Sequence, residues 1–194
     1  MLKSIIISGP PAIGKTTIAI GLAKEFGLKY LSGGDVLKDM AKEKGFQTEG
    51  DDFWDTEAGM KFLNMRKGNS EFDKLVDEKL KKIFVTEDVV ITSYTLPWLV
   101  QDGIKIWLAG SQEISAKRMT TRDNISYDDA FGIVKKRYEE NKMIYKKLYG
   151  FNFGDDLSVF NEIINTDGLG PGQVLELAKE KVKKHYGAQT TRKS

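Results

Sequence analysis

Lys15 and Thr16 close a run, Gly9-Pro10-Pro11-Ala12-Ile13-Gly14-Lys15-Thr16, that fits the spacing G-x-x-x-x-G-K-[ST] of a phosphate-cradling loop. A lysine ammonium on a flexible stem can meet the β and γ phosphates of a nucleoside triphosphate, and the threonine hydroxyl beside it is a suitable Mg2+ ligand. Gly9 and Gly14 allow backbone angles closed to other residues and let the main chain approach a ligand. Amide groups of the turn, with those of the helix that opens around Lys15, Thr16 and Thr17, can converge on phosphate oxygens. At an average glycine usage of about 7%, the four fixed positions coincide by chance in roughly one chain of this length per hundred. An Ile-rich run before the loop and helical spacing of Ile18, Ala19, Leu22, Ala23 and Phe26 after it make coincidence rarer still.

The rest of the chain reads as the frame for that loop. Five short apolar runs alternate with helical patterns: Ile5–Ile7, Leu28–Leu31, Val89–Ile91, Ile104–Leu108 and Phe160–Ile164. Continuous Val/Ile runs suit central parallel strands covered on both faces, so the pattern predicts a doubly wound α/β sheet with ligands at the carboxyl ends of its strands. Helices are predicted over Lys15–Phe26 with Gly27 as cap, Asp35–Lys44, Phe62–Phe84, Ser111–Asp123 and Tyr127–Leu148, and from Pro171 onward, with a polar frayed tail from Gly187. Asp35 to Phe84 is too long for a simple crossover and is expected to form a separate lobe over the sheet. The acidic run Glu49 to Glu57 reads as a solvated loop anchored by Phe53 and Trp54. Arg118 and Arg122, four apart, share one helix face; from spacing alone they serve equally as a surface salt-bridging pair.

Composition narrows the function classes. The 194 residues carry a net charge of +2, with 40% hydrophobic and 30% charged residues, which offers no broad basic face for nucleic acid. The absence of cysteine excludes disulfides and thiolate metal sites. The one histidine, His185, fits a helix end better than a catalytic role. With no secretory signal before the first strand and no apolar run long enough to span a bilayer, the expected location is cytoplasmic, without membrane or nucleic-acid partners and monomeric by default.

Seven segments in order carry a resemblance that covers almost the whole chain: Ile-Ser-Gly-Pro-Pro at 7–11, Ser-Gly-Gly-Asp at 32–35, Lys-Ile-Trp-Leu at 105–108, Ala-Lys-Arg-Met-Thr-Thr-Arg-Asp at 116–123, Tyr-Lys-Lys-Leu-Tyr-Gly at 145–150, Asp-Asp-Leu-Ser at 155–158 and Ile-Ile-Asn-Thr at 163–166. The sequence resembles the archaeal type of cytidylate kinase, a nucleoside monophosphate kinase. The resemblance implies a three-layer α/β/α P-loop kinase fold on a five-stranded parallel sheet. It divides one domain into a core (1–34, 85–115 and 138–194), a monophosphate-binding insertion (35–84) and a lid (116–137). It implies transfer of a phosphoryl group from ATP, with Mg2+, to CMP or dCMP. Gly9 to Thr17 would hold ATP, with Asn165 and Thr166 near the adenine. Lys15, Arg118, Arg122 and Arg137 would act on the transferring phosphoryl, and Gly34, Asp35 and neighbours would line the acceptor pocket.

Departures from the family fall on the acceptor side. The family's Glu-Gly-Arg-Leu after the third strand is Thr92-Ser93-Tyr94-Thr95 here, so an acid that helps hold Mg2+-bound water and an arginine that grips the acceptor phosphate are both replaced. The arginine usual at the end of Gly-Asp-x-x-Arg is Lys38, and Ala12 and Ile13 stand where the family's loop has Gly and Ser. One phosphate-binding arginine lost is worth about 1.5–3 kcal/mol, or roughly 10- to 150-fold. Lys38, Lys61 and Lys74, or Ser93 and Tyr94 as neutral donors, are the candidate replacements. The alternatives are a P-loop kinase with another acceptor and a nucleotide-binding switch or assembly protein. Lys15→Ala is expected to abolish phosphoryl transfer in an ADP-release assay; near-normal turnover would remove Lys15 from the site.

Overall fold

A computed structural model describes residues 4–46, 48 and 71–191. The acidic run at 49–57, with Phe53, Trp54, Lys61 and the start of the predicted Phe62 helix, lies outside the described residues. Within them the order is β1 (Ile5–Ser8), α1 (Lys15–Phe26), β2 (Lys29–Ser32), α2 (Gly33–Glu43), α3 (Glu71–Thr86), β3 (Val89–Thr92), α4 (Leu96–Leu99), β4 (Ile104–Ala109), α5 (Gln112–Asp123), α6 (Tyr127–Tyr149), β5 (Glu162–Asn165) and α7 (Pro171–Thr191). The five strands pair in parallel in the order β2-β3-β1-β4-β5, which puts β1 at the centre. Its register sets Ile5 against Val90 on one side and Ile104 on the other.

Alternation of side chains along each strand divides the core into two layers. Ile5, Ile7, Val90, Ile106 and Leu108 pack with Ile18, Leu22, Val174, Ala178 and Val182 of α1 and α7. Ile6, Val89 and Ile91 pack on the opposite face with Val36, Met40, Leu80 and Phe84. Those last four belong to α2 and α3, so the two described helices of the 35–84 stretch pack on this face of the sheet. Both helices carry apolar stripes that must be covered, and the face of β1 and β3 covers them.

Local signals set most boundaries. Gly27 caps α1 and returns its N–H to Ala23 O. Ser111 and Ser126 cap α5 and α6, each accepting the amide three residues on. α2 starts two residues before expectation because Ser32 and Asp35 form a reciprocal capping box: the Asp35 amide donates to Ser32 Oγ at 3.0 Å and the Ser32 amide to Asp35 Oδ2 at 2.9 Å. α7 runs on to Thr191 where a frayed tail was expected from Gly187. His185 sits inside that helix, its Nε2 3.0 Å from Glu162 Oε1 on β5. Among the described residues, no helix is long and apolar enough to cross a membrane.

A third cluster is aromatic. Trp107 projects from β4 away from the Ile106 and Leu108 layer and meets Tyr145, Trp98, Phe151 and Phe160 around Phe153. Phe153 is fully buried, with ring centroids of Trp107, Tyr94 and Tyr145 at 5.3, 5.6 and 5.7 Å, all edge-on. Edge-to-face contact aligns ring hydrogens with neighbouring π faces and adds to area burial. Phe153→Ala is expected to cost about 3–5 kcal/mol of unfolding free energy in urea denaturation; a loss under about 1 kcal/mol, the scale of a surface change, would mean the cluster is not a unit of the core.

Candidate active site

The loop between β1 and α1 is clamped from below. Gly9 has φ 149°, and a Cβ there would lie 2.5 Å from the Leu108 carbonyl oxygen of β4, so only glycine fits this approach of backbone to strand. Ala12 takes a left-handed φ of 57°, a conformation that costs a non-glycine residue about 1–2 kcal/mol. Its neighbour explains why the strain is held. Ile13 is buried in the α1/α7 layer and plugs the loop into the core, while its carbonyl accepts from Arg118 Nη1 at 2.9 Å.

Lys15 Nζ donates to Gly9 O at 2.9 Å and Pro10 O at 2.6 Å and sits 4.5 Å from the centroid of the Tyr94 ring. Thr16 and Thr17 are exposed on the first turn of α1, which carries no acidic residue, so the positive end of the helix dipole is uncompensated. Burial holds the Lys15 pKa below the ordinary lysine range; Tyr94 opposes it, and Arg137 adds a smaller push in the same direction as burial. Burial alone would raise the Tyr94 phenol, but the charges of Lys15 and Arg137, with hydrogen bonds to Lys15 and Asn141, outweigh it and hold the phenol below its usual value. Lys15, Tyr94, Arg137 and Asn141 therefore form one electrostatic unit. Arg137 and Asn141 are one helical turn apart on α6, and Tyr145, a turn further, has its ring 6.3 Å from that of Tyr94.

The other arginines have different surroundings. Arg118 is a clasp: besides Ile13 O, it donates to Thr166 Oγ1 at 2.9 Å and Thr166 O at 3.0 Å, joining the phosphate loop to the end of β5. Thr166 is fully buried, and Asp167 takes the Ser111 amide, so the β5 end also orients α5. Arg118 thus ties the phosphate loop to β5. Arg122 is exposed and its guanidinium is paired with the carboxylate of Asp123 at 2.5 and 2.6 Å. α5 and α6 pack together through Ala116, Met119, Ala130 and Val134, a small core that reaches the loop at Ala12.

Of the residues expected to line an acceptor pocket, Gly34 and Asp35 lie at the start of α2, with Asp35 committed to the capping box and Lys38 one turn on. Ser93 is buried, and its hydroxyl accepts the amides of Thr95 at 3.2 Å and Leu96 at 3.1 Å. It shapes the loop from within, leaving Tyr94 to face Lys15. Spacing did not reveal Asn141, although its place four residues after Arg137 was a usable sign. Nor did it reveal Asp77, Thr95 and Tyr149, which meet only in three dimensions.

A central strand, a glycine-clamped phosphate loop opening a helix and a 2-3-1-4-5 parallel sheet between helical layers define a P-loop kinase fold. Solved structures agree at the level of fold: a shikimate kinase from Bacteroides thetaiotaomicron aligns over 96% of this chain and 98% of its own with TM-score 0.56 and 17% identity. A gluconokinase from Sinorhizobium meliloti aligns over 98% of this chain and 97% of its own with TM-score 0.60 and 12% identity. In sequence, the profile of the cytidylate kinase-like family matches residues 4–168. A cytidylate kinase from Saccharolobus islandicus (strain L.S.2.15 / Lassen #1) is 35% identical over 89% of this chain and 87% of its own length. One from Sulfurisphaera tokodaii is 34% identical over 89% of this chain and 91% of its own. The chain belongs to the cytidylate kinase-like family and is a kinase.

Arg118→Ala removes a charged donor from three acceptors, so ATP binding by calorimetry is expected to weaken about tenfold or more. Arg118→Lys, a point charge without the fork, should restore only part of that. Unchanged affinity in the alanine variant would show that the clasp does not shape the loop.

Proposed function

We propose that the chain transfers the γ-phosphoryl group of ATP to a nucleoside monophosphate, with CMP or dCMP as the preferred acceptor. The observation that carries this reading is the meeting of Lys15, Arg137 and Tyr94 at the carboxyl ends of β1 and β3, beside the N-terminus of α1. Two cations and a phenol bonded among them are suited to phosphoryl oxygens in flight between two anions, where catalysis is mostly placement and charge neutralisation. The 31–35% identity to proteins named cytidylate kinase supports the nucleotide acceptor.

In this reading Gly9 to Thr17 hold ATP: loop amides and the start of α1 take the phosphates, and Lys15 exchanges the Gly9 and Pro10 carbonyls for β and γ oxygens. Asn165 and Thr166 border the adenine. Thr16 offers an exposed hard oxygen at the helix start, a donor that fits Mg2+, which binds through few protein ligands and the substrate's phosphates. When bound there, Mg2+ supplies charge neutralisation between the β and γ phosphates. Thr92, where the family has glutamate, adds a neutral hydroxyl. Arg137 balances charge on the moving phosphoryl, and Arg122 joins it once α5 and α6 close and its Asp123 pairing is exchanged. Gly34, Asp35, Lys38 and Tyr94 border the acceptor, with Ser93 shaping the loop beneath it.

A second reading, a kinase with another acceptor, is favoured by Tyr94 itself. A phenol donates one hydrogen bond where an arginine would grip a phosphate with a fork. ADP formation from ATP with each monophosphate in turn, and with ATP alone, separates the two. The expected result is turnover with CMP or dCMP at a kcat/KM about tenfold or more above the purine monophosphates, the discrimination that about 1.4 kcal/mol supplies. No turnover with any monophosphate would overturn the proposal.

A further inference from the structure

Asp77 is a carboxylate on α3, only 7% exposed, and a charge so placed persists only when hydrogen bonds satisfy it. Its two oxygens take protons from two other parts of the chain: Oδ1 from Thr95 Oγ1 at 2.5 Å, and Oδ2 from the Tyr149 hydroxyl at 2.6 Å. Burial, and then the Asp77 carboxylate, raise the Tyr149 phenol well above its ordinary pKa, so it remains a donor.

The ionised carboxylate can only accept, and this orders the protons beyond it. Thr95 gives its one hydroxyl proton to Asp77, so in the 3.2 Å contact between Thr95 Oγ1 and Ser93 Oγ the serine is the donor. Ser93 Oγ then receives the amides of Thr95 and Leu96. The result is a one-way chain from backbone amides through Ser93 and Thr95 to Asp77. It fixes the residues on both sides of Tyr94, whose ring lies beside the Lys15 ammonium.

Tyr149 meets the same segment by a second route. Its ring stacks on Phe151 with centroids 6.1 Å apart and planes 4° apart, and Phe151 stacks on Trp98 of α4 at 4.4 Å and 1°. Tyr149 closes α6, the helix whose earlier turns carry Arg137 and Asn141 toward Tyr94. The Tyr94 loop is thus held at one end by α3 and stacked against the end of α6 at the other.

We propose that Asp77 is a positioning residue for the acceptor side: it holds Tyr94 in register with Lys15, and through Tyr149 it makes that register depend on the seat of α6. As a statement about acceptor binding this rests on the monophosphate kinase reading. Thr95→Val and Tyr149→Phe each remove one hydroxyl and keep shape. Each is expected to raise the acceptor KM about tenfold while the ATP KM stays within about twofold, the scale of a charged hydrogen bond lost on one side of the site. The double variant should fall short of the product of the singles, since both act through Asp77. Thr95→Ser, which keeps the hydroxyl, should restore the acceptor KM.

Equal losses for both substrates, or fully multiplicative effects, would overturn the proposal. Hydrogen exchange in the nucleotide-free protein gives a reading that needs no activity. The Thr95 and Leu96 amides should exchange at least about tenfold faster in Tyr149→Phe than in the unaltered chain, with β1 amides unchanged. Unchanged protection at Thr95 and Leu96 sinks the coupling, even if the unaltered chain turns over no monophosphate and the kinase reading fails separately.

Discussion

The end of β1 has to accept two demands that oppose one another. Its backbone must pass within contact distance of β4, where the Leu108 carbonyl leaves no room for a side chain at Gly9, and one residue pair later it must turn outward to offer amides to an anion. A phosphate loop is useful only if it is held in that outward form before a ligand arrives, because ordering it on binding would consume affinity. The protein holds it by burying Ile13, by tolerating Ala12 in a left-handed conformation, and by tying the Ile13 carbonyl to β5 through Arg118. The strain at Ala12 and the clasp at Arg118 are two sides of one arrangement.

Charge is distributed unevenly around this loop. Lys15 and Arg137 gather by the start of α1, with Lys15 withdrawn from water, where its charge acts more strongly than on the surface. Next to it, Tyr94 is held by cations, Asp35 is engaged by its cap, Ser93 is turned into its own loop, and Lys38 stands one turn along α2. A phenol stabilised by neighbouring cations is a weaker anchor than an arginine but a stiffer one, since Phe153 and Tyr145 fix its ring. Placement replaces some of the missing charge.

What could be read from the chain follows the range of the interaction. β1, the loop, α1 and its Gly27 stop are set by contacts within a few residues and stood in the sequence almost as they stand in space. Serine caps at Ser111 and Ser126 are equally local. α4 escaped notice because four residues with Pro97 near their start make too short a period to see. The clasp at Arg118 is not visible in the sequence, because its four-residue spacing from Arg122 says nothing about an acceptor 105 positions away at Ile13. Asp77, 18 residues from Thr95 and 72 from Tyr149, leaves no periodic trace at all.

α6 is fastened unequally along its length. From Tyr138 onward it is held in the aromatic cluster around Phe153, while its first turns pack through Ala130, Phe131 and Val134 on Ala116 and Met119 of α5. Mechanically this is a cantilever with a stiff root and a light tip. From Tyr138 back to Ala130 the helix spans on the order of 12 Å at about 1.5 Å per residue, so a rotation of about 10° at the root carries the tip through roughly 2 Å. Arg137, next to Tyr138, lies at the root of that span and stays nearly still while the tip moves. The aromatic cluster, which reaches the phosphate loop through Tyr94, is therefore the mount that keeps the arginine in place while the tip of α6 swings.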